Sequence, residues 1–290
     1  MKKIDFRNLS KKDIKNLHKW LRAFIQIIFF IFLPSAFTAA FNGVKYIFTQ
    51  IGNEDVIEFT SFISALIVLC AFTMIFGRFF CGFACVFGSL GDAVRALYIK
   101  ICKKLKKKPV KISTVWVGKL MYLKYIILSG IVILCYCRVY GRLKGISPWD
   151  VFSMIQAGNF RLSAYGLGIV FLLTTIVGMA LEERYFCKFF CPMGAVFSLI
   201  PTLPFFTLKR ERENCLKNCK ACTNICPVNI GLPDEKSLEV SGDCFQCQKC
   251  IDICPKGNVH CGIKKIKGNE FLFTIIRAVL LFIVLLLAGI

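Results

Sequence analysis

Two runs of four cysteines set out the chemistry this sequence can do. Cys215, Cys219, Cys222 and Cys226 read C-x3-C-x2-C-x3-C-P, and Cys244, Cys247, Cys250 and Cys254 read C-x2-C-x2-C-x3-C-P. Three cysteines at short intervals on a tight turn can each reach one iron of a cubane. The proline redirects the chain, so the fourth cysteine serves the neighbouring cubane. This crossing assigns one 4Fe-4S cluster to Cys215, Cys219, Cys222 and Cys254, and a second to Cys244, Cys247, Cys250 and Cys226. The extra residue between Cys215 and Cys219 is a departure that a loop can absorb. Paired structural zinc sites are the competing reading, but zinc motifs lack the third C-x2 step and the trailing C-P.

A second set of cysteines lies in two matched stretches. GRFFCGFACVFGSLG begins at Gly77 and ERYFCKFFCPMGAVF at Glu183. They share R-aromatic-F-C-x-F-x-C-x-x-G, and Val86 stands in the first where Pro192 stands in the second. On one helix, C-x3-C would put both sulfurs on one face. Cys81, Cys85, Cys187 and Cys191 are therefore a candidate for an additional cluster or metal site, here at the membrane edge. Arg78 and Arg184 head the two stretches, either to offset a thiolate-bound charge or to anchor at phosphate head groups. The competing reading makes these cysteines small apolar residues of a packed interface.

The elements that must position these groups are apolar. The 290-residue chain is 56% hydrophobic, with mean hydropathy +0.63, which is beyond an ordinary soluble domain. A spanning helix needs about 20 apolar residues. Five stretches come close, at 21–41, 59–76, 120–137, 164–181 and 271–290. Pro34 is expected to kink the first, and Lys124 and Arg277 to snorkel from helix starts to the interface. Each matched stretch closes a span and opens a shorter half-apolar segment. The expected fold is mainly α: a polytopic membrane helix bundle of about five spans in two similar helix-pair units, related by an axis along the membrane normal. It carries an inserted α+β unit of the bacterial two-cluster ferredoxin type. Residues 1–20 form a basic N-terminus, 21–206 the membrane domain, 207–268 the ferredoxin-like unit and 271–290 the last span.

The net charge is +21. Lys and Arg crowd residues 1–22, the segment 100–111 and the cysteine-rich region, so these are expected to face the cytoplasm of a multi-pass protein of the inner membrane. The acidic loop 42–58 then lies outside. So does 138–161, despite Arg138, Arg142, Lys144 and Arg161. The first helix is expected to remain uncleaved, because its charged leader is long for a signal. A reducing compartment also suits thiolate clusters better than disulfides. Nucleic-acid binding is disfavoured by the lipid spans. Haem is disfavoured because the two histidines, His18 and His260, lie outside apolar runs and no C-x-x-C-H occurs. Cys70, Cys102, Cys135, Cys137 and Cys261 are expected to be incidental, although Cys135 and Cys137 near the outer face could pair or bind copper. SPWD at 147–150 reads as a helix start. Lys209, Arg210, Arg212, Lys217, Lys220, Lys249 and Lys256 either follow the inside bias or dock an acidic carrier such as flavodoxin or ferredoxin.

RYFCKFFCPMG, its partner RFFCGFACVFG and the two cysteine runs together resemble the membrane-bound 4Fe-4S polyferredoxins of the NapH and NosR kind. The resemblance extends roughly over residues 21–261. It implies electron transfer between the quinone pool or cytosolic carriers and a redox partner, often a flavoprotein. The expected function is that of an electron-transfer subunit of an oxidoreductase system, with no catalytic residue of its own. The alternatives are a copper reductase or assembly factor using the same clusters, and a redox sensor.

Overall fold

Pro34 breaks the first apolar stretch in two. The computed structural model describes residues 11–110, 114–143, 145–160, 165–204, 206–234, 237, 240–261 and 270–290. In it, α1 (Lys11–Phe32) stops before Pro34, which cannot continue the hydrogen-bond ladder, and α2 (Ala36–Asn53) leaves at 59°. The loop expected over 42–58 is therefore mostly helix. α2 ends only at Glu54, whose left-handed backbone (φ 59°) returns its N–H to Gln50 and Ile51.

α3 (Ser61–Phe76) leads through a short π-helical turn (Phe80–Ala84) into α4 (Val86–Lys104). After α5 (Thr114–Leu120) and α6 (Leu123–Tyr136), Pro148 opens α7 (Pro148–Gln156), as SPWD predicts, with Ser147 at its N-cap. The second matched stretch follows as α8 (Gly166–Leu181), α9 (Tyr185–Phe189) and α10 (Pro192–Leu199). α2 packs on α3 and α6, α4 on α8 and α9, and α6 on α10. Gly43 makes the α2–α3 approach close: a Cβ there would strike the Phe62 carbonyl.

Among the described residues, two helices are long and apolar enough to cross a bilayer, Trp116–Tyr136 and α13 (Glu270–Leu287). The bent α1–α2 pair is a third if counted as one span. The stretches expected at 59–76 and 164–181 are 16-residue helices. At 1.5 Å per residue each is about 24 Å long, short of a hydrocarbon core of about 30 Å. Lys124 and Arg277 do not snorkel. Both are almost fully buried: Lys124 reaches Asp243, and Arg277 lies between the rings of Phe79 and Phe273.

The cysteine-rich segment is a small α+β unit. β1 (Leu208–Arg210) pairs antiparallel with β2 (Val259–Cys261), Leu208 facing Cys261. The one-turn helices α11 (Ala221–Ile225) and α12 (Lys249–Ile253) pack together and carry Cys222 and Cys250 into a shared core with Leu208, Leu232 and Val259. Residues 1–10, Lys144, Arg161, the KKIK run at 264–267, the start of the span at 164 and the unit's end at 262–268 lie outside the described residues.

Candidate iron–sulfur sites

The matched stretches fold as interlocked copies. Phe186, just before Cys187, stacks on Phe87 of α4 with centroids 4.5 Å apart, while Phe80, just before Cys81, meets Phe197 of α10 at 6.3 Å. The arginines cross in the same way. Arg184 donates to the Cys81 and Gly82 carbonyls and sits against Gly88. Arg78 comes within 3.0 Å of where a Gly194 Cβ would be. Glycine at 88 and 194 leaves room for the opposite guanidinium.

This interlock brings Cys81, Cys85, Cys187 and Cys191 together. All four are 4–5% exposed. Cys85 and Cys191 each sense Cys81 and Cys187 electrostatically. The expectation that each C-x3-C rides one helix is corrected. Cys81 sits in the π turn and Cys187 in α9, whereas Cys85 and Cys191 have extended backbones (ψ 127° and 110°) and are the N-caps of α4 and α10. In the second copy the cause is Pro192, which pushes the preceding residue out of the helical region. The break aims helix N–H groups at the sulfurs: Gly194 N–H donates to Cys191 Sγ at 3.1 Å, and Phe87 and Gly88 serve Cys85. These amides pull toward the thiolate, while burial, the larger effect, pushes both thiols up.

Both arginines are 1% exposed, so the phosphate-anchor reading of Arg78 and Arg184 is also corrected. Their charges are matched inward instead. Arg184 Nη2 meets Asp92 at 2.6 Å, and Asp92 also takes Arg22 at 2.6 Å and Gln26 at 2.8 Å. Burial alone would raise the Asp92 carboxyl, but Arg184, Arg22 and Lys249 hold it well below the usual carboxylate range. Arg78 Nη1 lies 3.4 Å from Asp243, which Lys124 holds at 2.6 Å. Among the described residues, Arg78 Nε and Nη2 and Arg184 Nε have no nitrogen or oxygen partner although fully buried, and the Arg78 guanidinium lies against the Cys81 thiol. Buried donors facing a thiol set are the environment a negatively charged thiolate cluster requires.

In the cysteine-rich unit, Cys226 groups with Cys244, Cys247 and Cys250. Each thiol of this set for which a shift is resolved, at 226, 244 and 250, is raised by burial and by its neighbours in the set. Cys244 is pushed up to about 12 by burial, with the Gln246 amide and Arg78 pulling the other way. Backbone amides of Val228, Asn229 and Ile230 point at Cys226. Gln246 and Gln248 adopt left-handed backbones (φ 51° and 61°) on either side of Cys247, as Asn218 does (φ 56°) before Cys219. Alternating handedness makes successive N–H groups converge, a concavity used by iron–sulfur sites. Of the remaining set, Cys222 is buried and receives Arg210 Nη1 at 3.5 Å. Cys254 Sγ accepts from Asn258 N–H, and Asn258 bridges to Asn214 beside Cys215 at 2.7 Å. Cys215 donates to the Glu211 carbonyl.

Among the described residues, no group of three or more His, Cys, Asp or Glu side chains converges as a single ion requires. A zinc–sulfur bond of about 2.3 Å gathers all its donors around one point. A cubane binds each cysteine through a different iron, so its donors need not meet at one point, and an all-cysteine donor set is the chemistry it takes. The sequence did not reveal Asp92, Asp243, the crossing of the arginines or the amides on the sulfurs. The one available signal was the position seven residues past the second cysteine, Asp92 in one copy and Ser198 in the other.

A family model described as a 4Fe-4S binding domain matches residues 59–109 and 166–203. These stretches contain Cys81, Cys85, Cys187 and Cys191 and end before Cys215. The chain is 30% identical over 81% of its length to uncharacterized protein MJ0750 of Methanocaldococcus jannaschii, covering 92% of that protein. It is 27% identical to the ferredoxin-type protein NapH of Haemophilus influenzae, over 66% of this chain and 64% of the relative. It is 26% identical to the methylamine utilization ferredoxin-type protein MauN of Paracoccus denitrificans, over 63% and 61% respectively. The chain belongs to the membrane-associated 4Fe-4S polyferredoxin family of the NapH and NosR kind. It is a membrane protein of iron–sulfur electron transport. No solved structure matches it.

Proposed function

We propose that this chain relays single electrons between a donor at the cytoplasmic face and an acceptor in or across the membrane. Cys215, Cys219, Cys222 and Cys254 would hold one 4Fe-4S cluster, and Cys244, Cys247, Cys250 and Cys226 a second. Cys81, Cys85, Cys187 and Cys191 would hold a third centre of the same kind. When bound, such clusters supply one-electron oxidation and reduction with little structural change. The protein's part is to bury the thiolates, aim amides at the sulfurs, and offset charge through Arg78 and Arg184. The observation that carries this reading is the buried four-sulfur set between the matched stretches, flanked by the buried guanidinium groups of Arg78 and Arg184. The basic segments support a cytoplasmic orientation of the soluble unit in a multi-pass protein.

An apolar cavity of about 430 Å³ runs from Tyr185 and Phe190, which flank Cys187 and Cys191 in the chain, to Tyr140 and Trp149. It supports a lipid-soluble carrier of the quinone type as acceptor. Flavoprotein or ferredoxin-like partners would meet the basic soluble unit.

The test is an iron and acid-labile sulfide count on anaerobically purified protein. About twelve irons per chain are expected for three cubanes, falling to about eight in the Cys187→Ser/Cys191→Ser double variant. A count of about eight that the double variant leaves unchanged would remove the membrane centre. Zinc in place of iron would remove the whole reading.

A further inference from the structure

The interlocked copies differ at one place. Asp92, seven residues past Cys85, pairs with the arginine that heads the other copy. The position seven past Cys191 is Ser198, which cannot return that charge to Arg78 and bonds Tyr125 instead. A turn of the soluble unit fills the gap. Gly242 lies so close that a Cβ on it would be 2.5 Å from the Ser198 carbonyl. The next residue, Asp243, faces Arg78 at 3.4 Å and Lys124 at 2.6 Å. The residue after that is Cys244, and the Phe245 ring then covers the Arg78 guanidinium at 4.7 Å. Arg78 thus touches the membrane thiol set on one side and the Cys244 turn on the other.

Resting on the three-centre reading above, we propose that Asp243 is a positioning residue for electron transfer between the two cysteine sets. It takes in the second copy the place Asp92 holds in the first, pins the Cys244 turn against Cys81 and Cys191, and brings with it the counter-charge of Arg78. The first copy carries its own carboxylate, which pairs with Arg184 and with Arg22 of α1, while Lys249 of the soluble unit adds to the charge around it. The second is complete only when that unit is seated. Unseating it leaves Arg78 and Lys124, both 1% exposed, without a carboxylate, which draws an electron more strongly to the membrane thiol set and separates the two sets at once.

The test compares wild type, Asp243→Asn and Asp243→Glu, with Asp92→Asn as the in-copy control. It uses iron content, EPR-monitored reduction potentials, the rate of electron equilibration after rapid reduction, and hydrogen exchange over 241–250. Asp243→Asn should keep its iron, raise the potential of the membrane centre, slow internal equilibration by about tenfold or more, and speed exchange in the turn. Asp243→Glu should restore all three. Asp92→Asn, which touches 241–250 only through Arg22 on the Cys247 carbonyl and through Lys249, should change that exchange less than Asp243→Asn does. If Asp243→Asn loses iron, Lys124→Met carries the test, because it weakens the same seat while leaving the cysteine turn intact, and it should show the same faster exchange and slower equilibration. Wild-type potential, rate and exchange in the variant that keeps its iron, or failure of glutamate to restore them, would overturn the inference alone. A wild-type count of about eight irons would overturn the three-centre reading, and this inference with it.

Discussion

In the first copy of the cysteine repeat, the helix that follows Cys85 runs 19 residues and carries Asp92 to meet Arg184. In the second, the helix after Cys191 runs eight residues, offers Ser198, and leaves Arg78 to a carboxylate from a segment some 45 residues further on. The aromatic interlock and the two glycines are common to both. The two copies agree around their cysteines and differ where the Gly242–Asp243 turn packs. The first copy supplies its own carboxylate, and the second takes one from the cysteine-rich unit.

The largest effect expected from this contrast is at the arginines. Arg184→Gln should cost about 3 kcal/mol, because it removes a buried charge from a hydrogen-bonded set, Arg22 still holding Asp92. Arg78→Gln should cost less, about 1–2 kcal/mol, since Asp243 is 29% exposed and keeps Lys124. Thermal midpoints in detergent would rank them, and the reverse order would break the distinction between copies. Next come the glycines. Gly88→Ala should cost about 2–3 kcal/mol and Gly194→Ala about 1 kcal/mol, because the opposite guanidinium crowds Gly88 more closely.

The pH dependence sharpens the same comparison. The folded Asp92 carboxyl is held below its unfolded value, so its stabilisation is complete above pH about 4. It is lost progressively as pH falls from there toward the folded value. Asp92→Asn should therefore be destabilised against wild type at pH 7, and the gap should narrow below pH about 4 in denaturation midpoints. A gap that stays constant with pH would mean the carboxylate charge is not what matters. The smallest effect is expected outside both copies. His18 Nδ1 contacts Asp252 at 2.8 Å, joining α1 to α12. His18→Ala should cost about 1 kcal/mol, read as faster proteolysis of the soluble unit with the iron count unchanged.

The cysteine spacing, the repeat and the apolar stretches were legible because they are local patterns. The proline after each fourth cysteine is the local signal behind the expectation that Cys226 joins the 244–250 run. What was not legible came from contacts between residues far apart in the chain. Arg184 reaches Asp92 across 92 positions and Arg78 reaches Asp243 across 165, and no periodicity encodes either. Burial of Lys124 and Arg277 was missed because a cation near the end of an apolar run reads as snorkelling unless its buried partner is known. The break before Cys85 was missed because no proline follows it, as Pro192 follows Cys191. The left-handed glutamines were missed because glycine is the usual sign of that conformation.

The most direct measurement is stepwise anaerobic reduction of the full-length protein followed by EPR. Three one-electron signals should appear, with the spectrum of the membrane-set signal broadened by the neighbouring Cys244–Cys250 centre. In the Cys187→Ser/Cys191→Ser variant that signal and the broadening should vanish together. Two signals that this variant leaves unaltered would contradict the account.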